Sequence, residues 1–318
     1  MKKILVLGGS GFVGSHVCEK LARQQWRVTL PTRRRVNARH LQMLPLLDVI
    51  EADVHDEAAL TRLVAGHDAV VNLVAILHGN EKSFQHAHVT LPQKLARACA
   101  AAGVPRVVHI SALGADANGP SIYQRSKAAG EQVLQSAGLA LTLLRPSVVF
   151  GAEDSFLNLF ARLQRVFPVM PLAGSGCKFQ PVWVEDVAEA VVRCLQENTT
   201  AGKTFEVCGP ETFTLKELVQ IAGRLGAGHG GEARPVLPLP LWAGNLQALL
   251  MELAPGQPLM SRDNLASLQV DNIASGMLPG LDALGITPES LLAVAPTYLA
   301  QRGPRSSLLA LRKTAGRF

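Results

Sequence analysis

Aromatic residues make up only 5% of the 318-residue chain, and charged residues 18%. Surfaces that read nucleic acid interleave basic residues with aromatics or present a basic helix face. With so few aromatics, no nucleic-acid partner is expected. Long apolar runs are also missing. The greasiest uncharged stretch, Pro235 to Met251, holds three prolines, an Asn and a Gln, so it does not read as a membrane-spanning helix. At the start, ILVL breaks into glycines with no small-residue cleavage pattern behind it, unlike a secretory signal. The five cysteines (Cys18, Cys99, Cys177, Cys194, Cys208) include no C-x-x-C pair, which argues against a disulfide frame or a zinc site. Reduced thiols, no metal and a cytoplasmic location are expected. At 48% hydrophobic, the chain is neither disordered nor collagen-like, and its length suits two domains or one domain with an appended lobe.

The net charge of +6 is unevenly placed. Residues 1–40 carry nine Lys/Arg and one acid, whereas residues 41–151 net −1 and residues 152–301 net −6. Residues 302–318 carry five bases and no acid. The excess is two clusters at the ends, and each needs its own explanation.

Lys3 to Leu7 is a continuous apolar run of the kind that forms a strand buried on both faces. Further strands are expected at 27–30, 49–52, 69–74, 107–111 and 139–144, and helices at 57–65, 91–102 and 121–137. Strand–helix alternation at this spacing indicates a parallel doubly wound sheet. After Gly151 the alternation loosens. A helix is expected at 185–196, a strand at 204–207, and a helix from Thr214 with a capping box to Glu217. Gly226 to Gly231 reads as a loop and Pro235 to Pro240 as a rigid connection.

Gly8-Gly9-Ser10-Gly11-Phe12-Val13-Gly14 follows the first strand and opens the first helix. In this context Gly8 makes the tight turn, Gly11 lets the backbone approach a pyrophosphate at the helix N-terminus, and Gly14 allows close helix–strand packing. Ser10, Phe12 and Val13 supply the amides around it. The second strand then ends in Thr32-Arg33-Arg34-Arg35, with no acid between Glu19 and Asp48. An NAD site places a carboxylate there, which would repel a 2′-phosphate, whereas guanidinium groups bind one. NADP(H) is therefore preferred over NAD(H), with Arg33 and Arg34 on the phosphate. Asp53, followed by Val54, is placed for the adenine amine. Asn72 to Ala75, including Leu73 and Ala75, should floor the ribose and nicotinamide.

Tyr123-Gln124-Arg125-Ser126-Lys127 puts Tyr123 and Lys127 on one face of a predicted helix. A free phenol titrates near 10, and an adjacent ammonium is expected to bring Tyr123 toward neutrality. Lys127 can also hold the nicotinamide ribose. Ser111, at a strand tip, can donate to a substrate carbonyl. Together with a hydride donor these three residues make a carbonyl reductase.

GGSGFVG at 8–14, Asp53-Val54, NLVA at 72–75, Ser111 with YQRSK, and RPSVVFG at 145–151 resemble an extended-type short-chain dehydrogenase/reductase. HISALGAD (109–116), RPSVVFGAEDSFLN (145–158), FQPVWVEDVAEA (179–190) and GPETFTLKEL (209–218) resemble one branch more closely. That branch holds the nucleotide-binding accessory subunit of respiratory complex I and its bacterial relatives. The resemblance covers nearly the whole chain. It implies an α/β fold, a doubly wound parallel Rossmann sheet with a smaller C-terminal α/β substrate lobe. It also implies bound NADP(H) and adds Pro146 to the cofactor-contacting set.

The expected division is a dinucleotide-binding domain over 1–151, completed by roughly 180–208, and a substrate lobe from 152–179 and 209–318. The leading function is an NADP(H)-dependent carbonyl oxidoreductase on an apolar, quinone- or isoprenoid-like substrate. The resemblance opens a second reading, a non-catalytic NADP(H)-bearing subunit or assembly factor linked to complex I. A third is a nucleotide-sugar epimerase/dehydratase. It is weakened because Ser111-Ala112 replaces Ser-Ser, and Phe150 stands where that pattern has tyrosine. His86 and His88 read as solvated loop histidines; the Trp242 segment has two readings, a place at a membrane interface and a lid over the pocket, of which the lid is favoured. The basic tail is the candidate contact with an inner membrane face or respiratory-chain protein.

Overall fold

In the computed structural model, which describes residues 1–226, 232–253 and 260–300, Lys3–Leu7 forms β1 and feeds two separate cores. Ile4 and Val6 enter one cluster while Leu5 and Leu7 enter another, all four fully buried. Successive side chains point to opposite faces of a strand, so an unbroken apolar run needs cover on both sides.

The chain continues through α1 (Phe12–Arg23), β2 (Arg27–Thr32), β3 (Leu47–Glu51), α2 (Glu57–Val64) and β4 (Ala69–Asn72). Next come α3 (Glu81–Gln85), a π-helical turn over His86–Thr90, α4 (Leu91–Ala102), β5 (Arg106–Ile110), α5 (Ile122–Gln135) and β6 (Ala140–Pro146). Short strands β7 (Val149–Phe150), β8 (Met170–Ala173), β9 (Lys178–Phe179) and β10 (Val182–Trp183) surround α6 (Leu157–Val166). α7 (Val184–Gln196), β11 (Thr204–Val207), β12 (Phe213–Thr214) and α8 (Leu215–Gly226) follow. The last elements are β13 (Val236–Leu239), α9 (Leu241–Leu253), α10 (Arg262–Ser267) and α11 (Leu291–Leu299).

Seven parallel strands form the main sheet in the order β11-β6-β5-β4-β1-β2-β3. α1 and α7 supply the cluster on one face; α2, α4 and α5 supply the other. Each fully buried Leu or Val here contributes roughly 1.5–3 kcal/mol. A third cluster joins α6, α8 and α11 with Phe150, Met170 and Leu172.

Three expectations change. The Pro235–Pro240 stretch is not only a rigid connection: Val236–Leu239 pairs in parallel with β8. In a two-stranded ribbon each strand has a free edge, which accommodates the missing amide of Pro238. Trp242 is not folded over a pocket but stands 72% exposed. His88 is 3% exposed rather than solvated, while His86 is exposed. The Gly226–Gly231 loop beyond Gly226, and the basic tail, lie outside the described residues.

α5 approaches the π-helical turn so closely that a Cβ on Gly130 would sit 2.0 Å from the His88 carbonyl oxygen. Glycine inside a helix usually costs about 0.5–1 kcal/mol relative to alanine. At this position the sign reverses. Gly130→Ala is expected to destabilise the protein by about 2–3 kcal/mol, as overpacking does, read from its urea midpoint.

Candidate functional site

The chain runs from β1 outward to β2 and β3, then returns to β4 on the other side of β1. Doubly wound sheets bind ligands at such a switch point, beyond the carboxyl ends of the strands. Gly8 there has φ +80°, and a Cβ on it would lie 2.9 Å from the Leu73 carbonyl carbon leaving β4. A Cβ on Gly14 would lie 2.4 Å from the Gly8 oxygen, so the turn closes only with glycine at both places. Gly11 is the N-cap of α1, which has no side-chain cap and no acid in its first turn. By contrast α2, α5, α10 and α11 are capped by Asp56, Ser121, Ser261 and Ser290. The first turn of α1, with Phe12 and Val13 half-buried and Ser10 just before it, is therefore left for an anion. This cradle fits a dinucleotide diphosphate.

Beyond β2, Arg33 and Arg34 are exposed and form no ion pair among the described residues. Asp53 is exposed too, with one carboxylate oxygen accepting from the His55 amide at 2.9 Å, and Val54 packs into the core beside it. His55 stacks on His86 with ring centroids 3.9 Å apart. Burial lowers its titration, and the nearby charges of His86, Lys94 and Arg33 lower it further. Ala75 is exposed and Leu73 half-buried at the end of β4. Asn72 differs from expectation, because its side chain is spent internally. Its Oδ1 accepts from the Val74 amide at 3.2 Å and its Nδ2 donates to His109 Nδ1 at 3.1 Å. Pro146 is buried, and its carbonyl accepts from the Leu113 amide at 2.9 Å.

At the start of α5 all four free amides have partners. Those of Ile122 and Tyr123 donate to the two carboxylate oxygens of Asp263 on α10, at 2.6 and 3.1 Å. Those of Ser121 and Gln124 are satisfied by a capping box, the Ser121 amide donating to Gln124 Oε1 at 3.3 Å and the Gln124 amide to Ser121 Oγ at 3.1 Å. One turn in, Lys127 is 2% exposed and its Nζ donates to the Ile110 carbonyl at 2.9 Å, one residue before Ser111. Ser111 Oγ is buried with no hydrogen-bond partner among the described residues. Burial of a hydroxyl is costly unless something satisfies it.

The electrostatics correct one expectation. Burial pushes the Tyr123 phenol up to about 12, and Lys127 does not bring it toward neutrality. The ring stands edge-on to Phe84 and His88, an apolar setting that disfavours a phenolate. The same burial lowers Lys127 to about 8, against a smaller opposing effect from Glu131. Among the described residues no three His, Cys, Asp or Glu side chains are grouped to hold a metal.

Three residues position this set: His88, read from the sequence as a solvated loop histidine, and Gly130 and Asp263, which the sequence pattern does not single out. His88 Nε2 accepts from the Ile76 amide at 3.1 Å, so Nδ1 carries the proton and donates to Ser126 Oγ at 2.8 Å. Ser126 in turn donates to the Tyr123 carbonyl at 2.8 Å. With its titration near 3, His88 stays neutral and ties the β4 exit to α5. Its signal was helical spacing from Phe84 through Leu91 to Leu95, one buried face. Gly130 and Asp263 offered no comparable local signal.

Residues 4–208 match the NAD dependent epimerase/dehydratase family. A mouse relative, the mitochondrial NADH dehydrogenase (ubiquinone) 1 alpha subcomplex subunit 9, is 33% identical over 293 residues, covering 90% of this chain and 76% of that one. A ceramide reductase of Caulobacter vibrioides is 28% identical over 236 residues, covering 74% and 72%. Among solved structures, a dTDP-glucose 4,6-dehydratase of Streptomyces venezuelae with NAD bound superposes with a TM-score of 0.74. It is 22% identical and covers 96% of this chain and 98% of its own. Fold, glycine cradle and sequence agree: the chain belongs to the NAD dependent epimerase/dehydratase family.

Proposed function

We propose that the protein is an NADP(H)-dependent carbonyl oxidoreductase acting on an apolar substrate. The observation that carries this reading is the unpartnered, buried Ser111 hydroxyl beside the carbonyl that anchors Lys127. Bound NADPH supplies the hydride. Ser111 Oγ donates a hydrogen bond to the substrate carbonyl oxygen, and Tyr123 transfers its phenolic proton to that oxygen as negative charge develops there. The raised titration of Tyr123 suits this role, since the phenol enters the reaction protonated. Lys127, anchored on the Ile110 carbonyl, can hold ribose hydroxyls. Arg33 and Arg34, free of ion pairs, bind the 2′-phosphate. Asp53 meets the adenine amine, and the domain boundary near residue 151 separates the cofactor side from the substrate side.

A second reading has a specific support. The mouse relative is named as a subunit of a respiratory dehydrogenase, so this chain can act as an NADP(H)-bearing component without turnover. The two separate on one experiment, NADPH oxidation by the purified protein with a panel of quinones and apolar ketones. Turnover is expected, and Tyr123→Phe should reduce it by about 10²–10⁴-fold while NADPH binding persists. Tight binding with no turnover on any substrate would instead favour the subunit reading.

Arg33→Asp should weaken NADPH binding by about tenfold to a hundredfold and leave NADH binding nearly unchanged, by fluorescence titration. Equal losses for both nucleotides would refute the phosphate assignment. Turnover should also fall as pH rises through about 8, because Lys127 loses its proton there while Tyr123 keeps its own. A flat profile to pH values well above that would remove Lys127 from the mechanism.

A further inference from the structure

An amphipathic helix on a globular protein normally turns its apolar stripe inward and its polar residues outward. α9 departs from this by leaving its large apolar residues outside. It packs through small residues: a Cβ on Gly244 would lie 2.4 Å from that of Ala173 on β8, and Ala248 is fully buried. On the outer side Trp242, Leu246 and Leu249 follow at i, i+4 and i+7, exposed by 72%, 53% and 37%. That spacing places them on one stripe. Leu241 and, on the strand leading into the helix, Leu237 extend the patch, and no charge occurs from Pro235 to Met251.

A second apolar edge lies at the start of the same ribbon. Val166, Phe167 and Val169 are exposed in the turn that enters β8, the partner of β13. α11 ends nearby, with the Leu299 carbonyl oxygen against Gly226, whose own carbonyl accepts from Arg165 at 2.7 Å. The sequence that follows, residues 302–318, holds five Lys/Arg, no acid, and Leu308, Leu309 and Leu311.

We propose that the outer stripe of α9 docks on an anionic phospholipid bilayer. An uncharged helix face with a tryptophan at its head suits the interface, where the indole sits among headgroups and leucines reach the acyl chains. The basic stretch beyond α11 supplies the complementary charge, attracted to anionic headgroups and screened by salt. α9 packs on α10, whose Asp263 caps the helix carrying Tyr123. The docked face is thus one helix removed from the proposed reaction site, although the proposal stands on the face itself and not on turnover.

The test uses the full chain and sedimentation with vesicles of phosphatidylcholine, with and without phosphatidylglycerol. Pelleting is expected with the anionic vesicles at low salt and should weaken as salt rises. A Trp242→Glu/Leu246→Glu variant, altered only at exposed positions, should bind about tenfold more weakly with unchanged melting temperature and dinucleotide binding. Vesicles should also blue-shift tryptophan emission in the wild type, and Trp242→Phe should abolish that shift. The proposal is overturned if no pelleting occurs. It is equally overturned if the double variant pellets like the wild type, because the basic stretch alone then carries binding. Concentration-dependent dimerisation that the double variant removes would assign the face to a second copy instead.

Discussion

The contact of α5 with the π-helical turn governs the geometry of the site. Only the missing side chain of Gly130 allows the His88 carbonyl to sit where it does. His88 can then reach the Ile76 amide on one side and Ser126 on the other. Through that one imidazole the loop leaving β4 is tied to the start of α5, which carries Tyr123. π-Helical turns occur frequently at functional sites, and here the turn directs His88 between the β4 exit and α5.

Burial sets the electrostatics of the same region. It raises the Tyr123 phenol and lowers Lys127, His88 and His109, each toward its uncharged form. This region therefore holds its protons in place at neutral pH: on the phenol, largely on the lysine, and on one nitrogen of each histidine. At the far end of the dinucleotide cradle the situation is opposite. Arg33 and Arg34 are exposed and form no ion pair among the described residues, so a charged ligand can reach them directly.

The glycine cradle, the sheet and the Tyr123–Lys127 pair were all legible in the chain. Each depends on residues close in sequence: a strand running into a helix, alternating apolar residues, two side chains four apart. Asp263 could not be found that way, because it reaches the α5 amides across 140 and 141 residues. His88 lay on a readable apolar face, yet its role required knowing that Ile76 and Ser126 flank it. The expected effect of Lys127 on Tyr123 failed for a related reason. Sequence spacing shows that an ammonium is near, but not how little water surrounds the phenol.

The same division applies to α9. Its uncharged composition was evident, and a lid was the natural expectation, but only the packing of Gly244 and Ala248 against the body turned its large residues outward. Local propensity and periodicity thus decided which elements form and which residue types they carry, since those depend on neighbouring backbone and on the pitch of helix and strand. Tertiary packing decided which face each element shows, which buried groups are satisfied and which protons stay bound. Those properties depend on contacts and on dielectric surroundings assembled from distant parts of the chain.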